Sequence, residues 1–95
     1  MSSRNVVITS VGLHALQDHA MTRVNNQVLW YLVNTLPPAG EVVSKAELEG
    51  RLSITRAQLS NTIKYLCQIG FLMRGGRFGL SYHYKLNPAF FRILA

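Results

Sequence analysis

From Arg51 to Arg92 the sequence carries seven cations, Arg51, Arg56, Lys64, Arg74, Arg77, Lys85 and Arg92, and no acid. Residues 1–50 hold Arg4, Arg23 and Lys45 against Asp18, Glu41, Glu47 and Glu49, a net of −1. A field of one sign over half of a small chain suits a polyanion, and nucleic acid is the favoured partner. The plainer alternative is a solvated basic surface kept for solubility. Other chemistry has little to work with. His14, His19 and His83 lack the i, i+4 spacing of a helical metal pair and have no acidic companions, so no metal is expected. Cys67 is the single cysteine, with no disulfide partner and no evident base to activate it, and reads as a core or boundary thiol. Four acids in all, and no P-loop, GxSxG or HExxH pattern, leave no expected enzyme activity and no cofactor.

The chain of 95 residues is long enough for one domain with one modest core, 1–95. A hydrophobic share of 48% argues against disorder. Val6, Val7 and Ile8 form a β-branched run that predicts a short N-terminal strand. Ser10 to Asp18 fits a short helix or a turn. Thr22 is a candidate N-cap for a longer helix through Leu36, in which Val24, Val28, Leu32 and Leu36 recur every four residues as a core-facing stripe. Pro37, Pro38 and Gly40 end it, and Glu41 to Val43 allow a short strand. Ser44-x-x-Glu47 and Thr55-x-x-Gln58 are two capping-box patterns. They open helices over Lys45 to Leu52 and Arg56 to about Ile69, the second closed by Gly70 as a left-handed C′ residue. Leu59, Ile63 and Leu66 mark its buried face. Phe71 to Arg74 is strand-like, Gly75 to Gly79 reads as a glycine-rich tip, and Ser81 to Leu86 alternates as a second strand. The expected fold is α+β, a winged helix-turn-helix: a three-helix core, a helix-turn-helix at about 44–70 and a C-terminal hairpin wing at about 71–87.

Ser44 to Gly70 resembles the winged helix-turn-helix of MarR-like regulators. The likeness is closer to the RepL-type plasmid and phage replication proteins. It rests on Val28-Leu29-Trp30-Tyr31-Leu32, Thr55-Arg56, Gly70-Phe71-Leu72-Met73-Arg74 and Leu86-Asn87-Pro88-Ala89-Phe90-Phe91, and covers about residues 6–92. The helix-turn-helix portion is common to very many regulators; the Asn87-Pro88 ending is more specific. Two positions depart from the pattern. Ser53 stands where the turn glycine is usual, and Glu49 where a small residue is usual, with Gly50 beside it to relieve crowding. The resemblance implies a DNA-binding protein and, through its RepL side, one that marks a replication origin.

At 100° per residue, the face opposite Leu59, Ile63 and Leu66 holds Ala57, Ser60, Asn61, Lys64 and Gln68, flanked by Arg56 and Gln58. A recognition helix presents such a face to the major groove. Asn61 and Gln58 carry the donor–acceptor pair that suits adenine, Ser60 can donate or accept, and Arg56 and Lys64 suit guanine or phosphate. Thr55 and the first helical N–H groups suit a phosphate. Arg74, Arg77, His83 and Lys85 lie on or beside the hairpin, with Arg77 expected at its tip, reaching a phosphate strand or the minor groove. Alternation along Ser81 to Leu86 sends Tyr82, Tyr84 and Leu86 to one face and the cationic side chains to the other.

One recognition helix covers a half-site, so a homodimer is expected, with Val6 to Ile8 as one candidate contact. The apolar end from Ala89 to Leu94 is expected by default to fold back over the core between the first helix and the hairpin, and otherwise to pair with another subunit. In an extended segment Phe90 and Phe91 point opposite ways, one over the first helix and one toward a neighbour. The leading function is sequence-recognising binding of double-stranded DNA, in transcription or in copy control of a mobile element. The alternatives are a replication initiator and a protein–protein module that has lost DNA binding. No small-molecule ligand is evident. The apolar run of Val28 to Val33 is too short for a membrane span, no secretory signal is legible before Ser10, and a prokaryotic cytosol is expected.

Overall fold

The computed structural model describes residues 4–94 as an α+β fold of four helices and two small antiparallel sheets. Its order is β1 (Val6–Ile8), α1 (Ser10–Asp18), α2 (Arg23–Thr35), β2 (Glu41–Val42), α3 (Lys45–Leu52), α4 (Arg56–Gln68), β3 (Leu72–Phe78), β4 (Ser81–Leu86) and β5 (Phe91–Ile93). All four helices begin at a hydroxyl. Thr9, Thr22, Ser44 and Thr55 each accept from the backbone N–H three residues on, answering one of the orphan donors of the first turn. Only Thr55 completes a capping box, since Gln58 Oε1 accepts in return from the Thr55 N–H. The box expected at Ser44 is half made, because Glu47 turns outward to Arg51 at 3.1 Å.

The core forms where α2 crosses α4. Val28, Leu29, Leu32 and Leu36 of α2 and its end bury against Leu59, Ile63 and Leu66 of α4, with Phe71, Leu72, Leu86 and Phe91 closing the other side. The spacing of four along α2 therefore marks the inward stripe, although Val24 at its start is only half-buried. One polar pair sits inside: Thr62 Oγ1 donates to Asn25 Oδ1 at 3.1 Å and pins the two helices in register. Ser53 turns the chain between α3 and α4 in a left-handed conformation (φ 54, ψ 47), the role usually given to glycine.

Three expectations sharpen or change. Ser10 to Asp18, open between a short helix and a turn, is a helix, so the described residues hold α1 in addition to the three expected helices. Its Gly12 is buried where an added Cβ would lie 2.5 Å from the Phe90 carbonyl oxygen, so the bare backbone is what lets α1 dock on the tail. The Gly75–Gly79 stretch is not the hairpin tip, since β3 runs on to Phe78 and the turn is Gly79–Leu80. Third, Phe90 and Phe91 do not part company. Asn87 folds the chain into a turn, its carbonyl accepting from the Phe90 and Phe91 N–H groups and its side chain bridging Gly70 O and Ala89 N. Both rings then pack on Phe71, with centroids at 5.2 and 5.8 Å, and Phe91 also meets Trp30 edge-on at 6.2 Å. The tail then returns as β5 along β1, pairing Val6 with Ile93 and Ile8 with Phe91.

The second sheet has the order β2-β4-β3. β4 lies in its centre and carries Tyr84 and Leu86 into the core. Among the described residues no helix is long and apolar enough to cross a membrane.

Candidate nucleic-acid interface

Helix α4 buries Leu59, Thr62, Ile63 and Leu66, and that fixes what its other side presents. Ala57, Asn61, Lys64 and Gln68 are exposed along one line, with Thr55, Arg56 and Gln58 exposed at the N-terminal end and Ser60 half-buried. The expected outer face is thus outward apart from the half-buried Ser60. Its side chains are not equally free. Gln58 has committed its amide oxygen to the cap at 3.0 Å, so only its NH2 faces out, and the paired donor and acceptor wanted for adenine is not available while the cap holds. Arg56 is ion-paired through Nε with Glu49, which ties α3 to α4 and gives the unusual Glu49 a partner. Asn61 makes no such commitment, and its exposed amide can offer both a donor and an acceptor near the start of the helix.

Beside this face runs an open groove of about 600 Å³ between the helices and the hairpin. Lys45, Ser60, Lys64 and Gln68 line one wall, and Arg74 and Tyr82 the other. Lys45, the first residue of α3, reaches across to Ser60 Oγ at 3.5 Å and so brings a cation from the acidic half of the chain into the basic field. Arg74 lies over the Tyr82 ring at 4.6 Å, and Arg77 stands at 6.0 Å from the same ring. Residues three apart on a regular strand point to opposite faces. Here the register shifts between Arg74, opposite Tyr84, and Arg77, opposite Tyr82, so that the Gly75–Gly76 bulge turns both arginines to the tyrosine face.

The alternation expected along Ser81 to Leu86 holds, and the bulge adds the two β3 arginines to its tyrosine face. The tyrosines share their face with Arg74 and Arg77. His83 and Lys85 alternate to the reverse face, where they close on Gly40; a Cβ added there would lie 2.6 Å from Lys85 Cβ and 2.7 Å from His83 Cε1. Arg77 is also tied to the turn, its Nε donating to the Gly79 carbonyl at 2.7 Å. No match is found among family models, curated proteins or solved structures.

Charge and protonation in the groove favour an anion. Two of the four acids are neutralised, Glu47 by Arg51 and Glu49 by Arg56, whereas Lys45, Lys64, Arg74 and Arg77 form no ion pair among the described residues. Burial pushes the Cys67 thiol up from its ordinary value, with Arg74 drawing it partly back, so the groove floor carries a neutral S–H and no thiolate. Tyr84 is likewise raised, first by burial. Among the described residues no three of His, Cys, Asp and Glu come together as a metal site. Sequence reasoning missed Lys45 and Tyr82. Lys45 was legible as the first residue of a capped helix, and Tyr82 as the aromatic neighbour of two arginines once the bulge is counted.

Proposed function

We propose that this chain is a winged helix-turn-helix protein that binds double-stranded DNA and recognises its sequence, in transcription or copy control of a mobile element in a prokaryotic cytosol. α3 and α4 are the helix-turn-helix, and the β3–β4 hairpin is the wing. The observation that carries the reading is the groove in which Lys45, Lys64 and Arg74 stand without carboxylate partners beside the exposed line of α4. α4 enters the major groove with Asn61 toward an adenine edge and Lys64 toward guanine or phosphate. Thr55 and the start of α4 meet one phosphate, and Lys45 and Arg74 hold the next along the strand.

A single α4 reads a half-site, so the chain acts as a homodimer. The exposed Val7, Val11 and Leu13 of β1 and α1 supply apolar surface for the contact. Selection from a random duplex pool, followed by sequencing, tests the whole reading. A two-fold motif is expected, its half-sites separated by about one helical turn of roughly 34 Å. A lone half-site would remove the dimer. A pool that shows no enrichment and no retained duplex would leave the protein–protein module in its place.

A further inference from the structure

Leu80 is 93% exposed and Phe78 60%, at the end of a hairpin whose outer part also holds Arg74, Gly75, Gly76, Arg77 and Gly79. Gly79 and Leu80 make a two-residue turn with positive φ (64) at the glycine alone, the pattern of a type II′ turn. The second turn position then holds Leu80 at the outermost point of the wing. The bond from Arg77 to the Gly79 carbonyl ties the turn to its own strand, so the leucine is held out on a fixed support. Turn chemistry at this position asks for nothing apolar; Asn, Ser or Lys would serve and would cost less exposed hydrocarbon.

We propose that Leu80, backed by Phe78, is an apolar wedge that enters the minor groove of duplex DNA and partly unstacks one base step, kinking the site that α4 holds. This rests on the DNA-binding reading above and assigns the wing a task which the charge pattern does not imply. Three observations favour a duplex over other apolar surfaces. The residues nearest the tip on the tyrosine face are Arg77 and Arg74, and no acid lies anywhere in residues 51–95, so a polyanion is drawn to the tip and not repelled. The wing rises from the wall of the same groove that α4 borders, which brings tip and helix to one ligand. Across the bulge, Arg74 to Phe78 spans the three steps of β4 from Tyr84 to Ser81, about 10 Å at ~3.3 Å per residue, and the outstretched Leu80 extends it further. That is close to the ~12 Å width of a major groove, so a tip rooted beside α4 reaches the adjoining minor groove. Leucine and phenylalanine are side chains that proteins insert at such steps, and pyrimidine–purine steps yield most readily.

The test uses the intact chain and a duplex of about 30 base pairs, short against the persistence length of DNA. It carries the selected site, donor and acceptor dyes at its ends, and 2-aminopurine at a TA step under the wing. Wild type is expected to bend it by roughly 20° or more and to raise the 2-aminopurine signal. Leu80→Ser, a change at a fully exposed turn that leaves the fold intact, should lose both signals while retaining salt-sensitive binding; Leu80→Met should keep them. Wild-type binding to a straight duplex, or an unaltered bend in Leu80→Ser, overturns the wedge and leaves the DNA-binding reading standing. Absence of any duplex binding overturns both. Capture by phosphatidylserine vesicles that Leu80→Ser abolishes, with no bend in the duplex, assigns the tip to a membrane surface instead.

Discussion

Raising the salt concentration is the perturbation that probes the groove most directly. Lys45, Lys64, Arg74 and Arg77 are the cations that stand on the groove or its hairpin wall without an ion pair. If each neutralises one phosphate, counterion release gives a slope of log K against log salt of about −3.6 per subunit, at ~0.9 per contact. Between roughly 50 and 200 mM salt the affinity of one subunit for a half-site duplex should then fall about 150-fold. Lys64→Ala removes one contact, so its slope should flatten to about −2.7 and its loss over the same range to about 40-fold. Fluorescence anisotropy with a dye-labelled duplex at four or more salt concentrations reads both slopes. A wild-type slope shallower than about −1.5 would refute the phosphate assignment. So would a slope that neither Lys64→Ala nor Arg74→Ala changes. A slope near −7 would mean that Lys85, Arg92 and the ion-paired Arg51 and Arg56 also touch DNA, against the division of the hairpin into two faces.

Asn61→Ala should cost about 1–3 kcal/mol on the selected site and leave random duplex unaffected, measured as paired dissociation constants. Phe91→Ala should destabilise the fold by about 3–5 kcal/mol in urea unfolding, since its ring is 2% exposed between Phe71 and Trp30. Phe90→Ala, at a half-buried ring, should cost less. Stability should also fall in alkali. Burial raises Cys67 and Tyr84, so the folded chain keeps these protons more tightly than the unfolded one. Their contribution is complete below the ordinary thiol value of about 8.5 and is lost as pH climbs past it, which a Tm series from neutral to strongly alkaline pH will show. Cys67→Ala should delay the onset toward the ordinary phenol value of about 10.

The helices were legible because their signals are local. Thr22, Ser44 and Thr55 cap where their hydroxyls predict, and Gly70 (φ 90) ends α4 in the left-handed conformation expected of it. The outer face of α4 follows from 100° per residue and needs no tertiary information. What was not legible depends on partners distant in sequence. The Arg56–Glu49 pair and the Lys45–Ser60 contact exist only once α3 packs on α4, and the first withdraws a cation that charge counting had treated as free. The hairpin was misread because glycines signal both turns and bulges. Gly75 and Gly76 make the bulge and Gly79 the turn, which moved the tip from Arg77 to Leu80 and turned Arg77 toward Tyr82. The fold-back of the tail over the core was legible from its apolar residues. The shared packing of Phe90 and Phe91 on Phe71 was not, because an extended segment would point them opposite ways, while Asn87 bends the chain between them and β4.

The pairing of β1 with β5 also sets an order of events when the chain is made. Thr9 and Ala89, hydrogen-bonded at the edge of that sheet, lie 80 residues apart in sequence. Closing so long a loop costs only modestly more than closing a short one, yet it cannot begin until the second strand has left the ribosome. The helices and the hairpin, whose contacts are nearer in sequence, can assemble first. Until residues 90–93 arrive, Phe71 lacks the two rings that cover it, and the hydrocarbon of a nearly finished core faces water. The turn at Asn87 and β5 are therefore a lid fitted after the helices and the hairpin. Any slowing of translation just before them prolongs the interval in which the nascent chain is prone to aggregate.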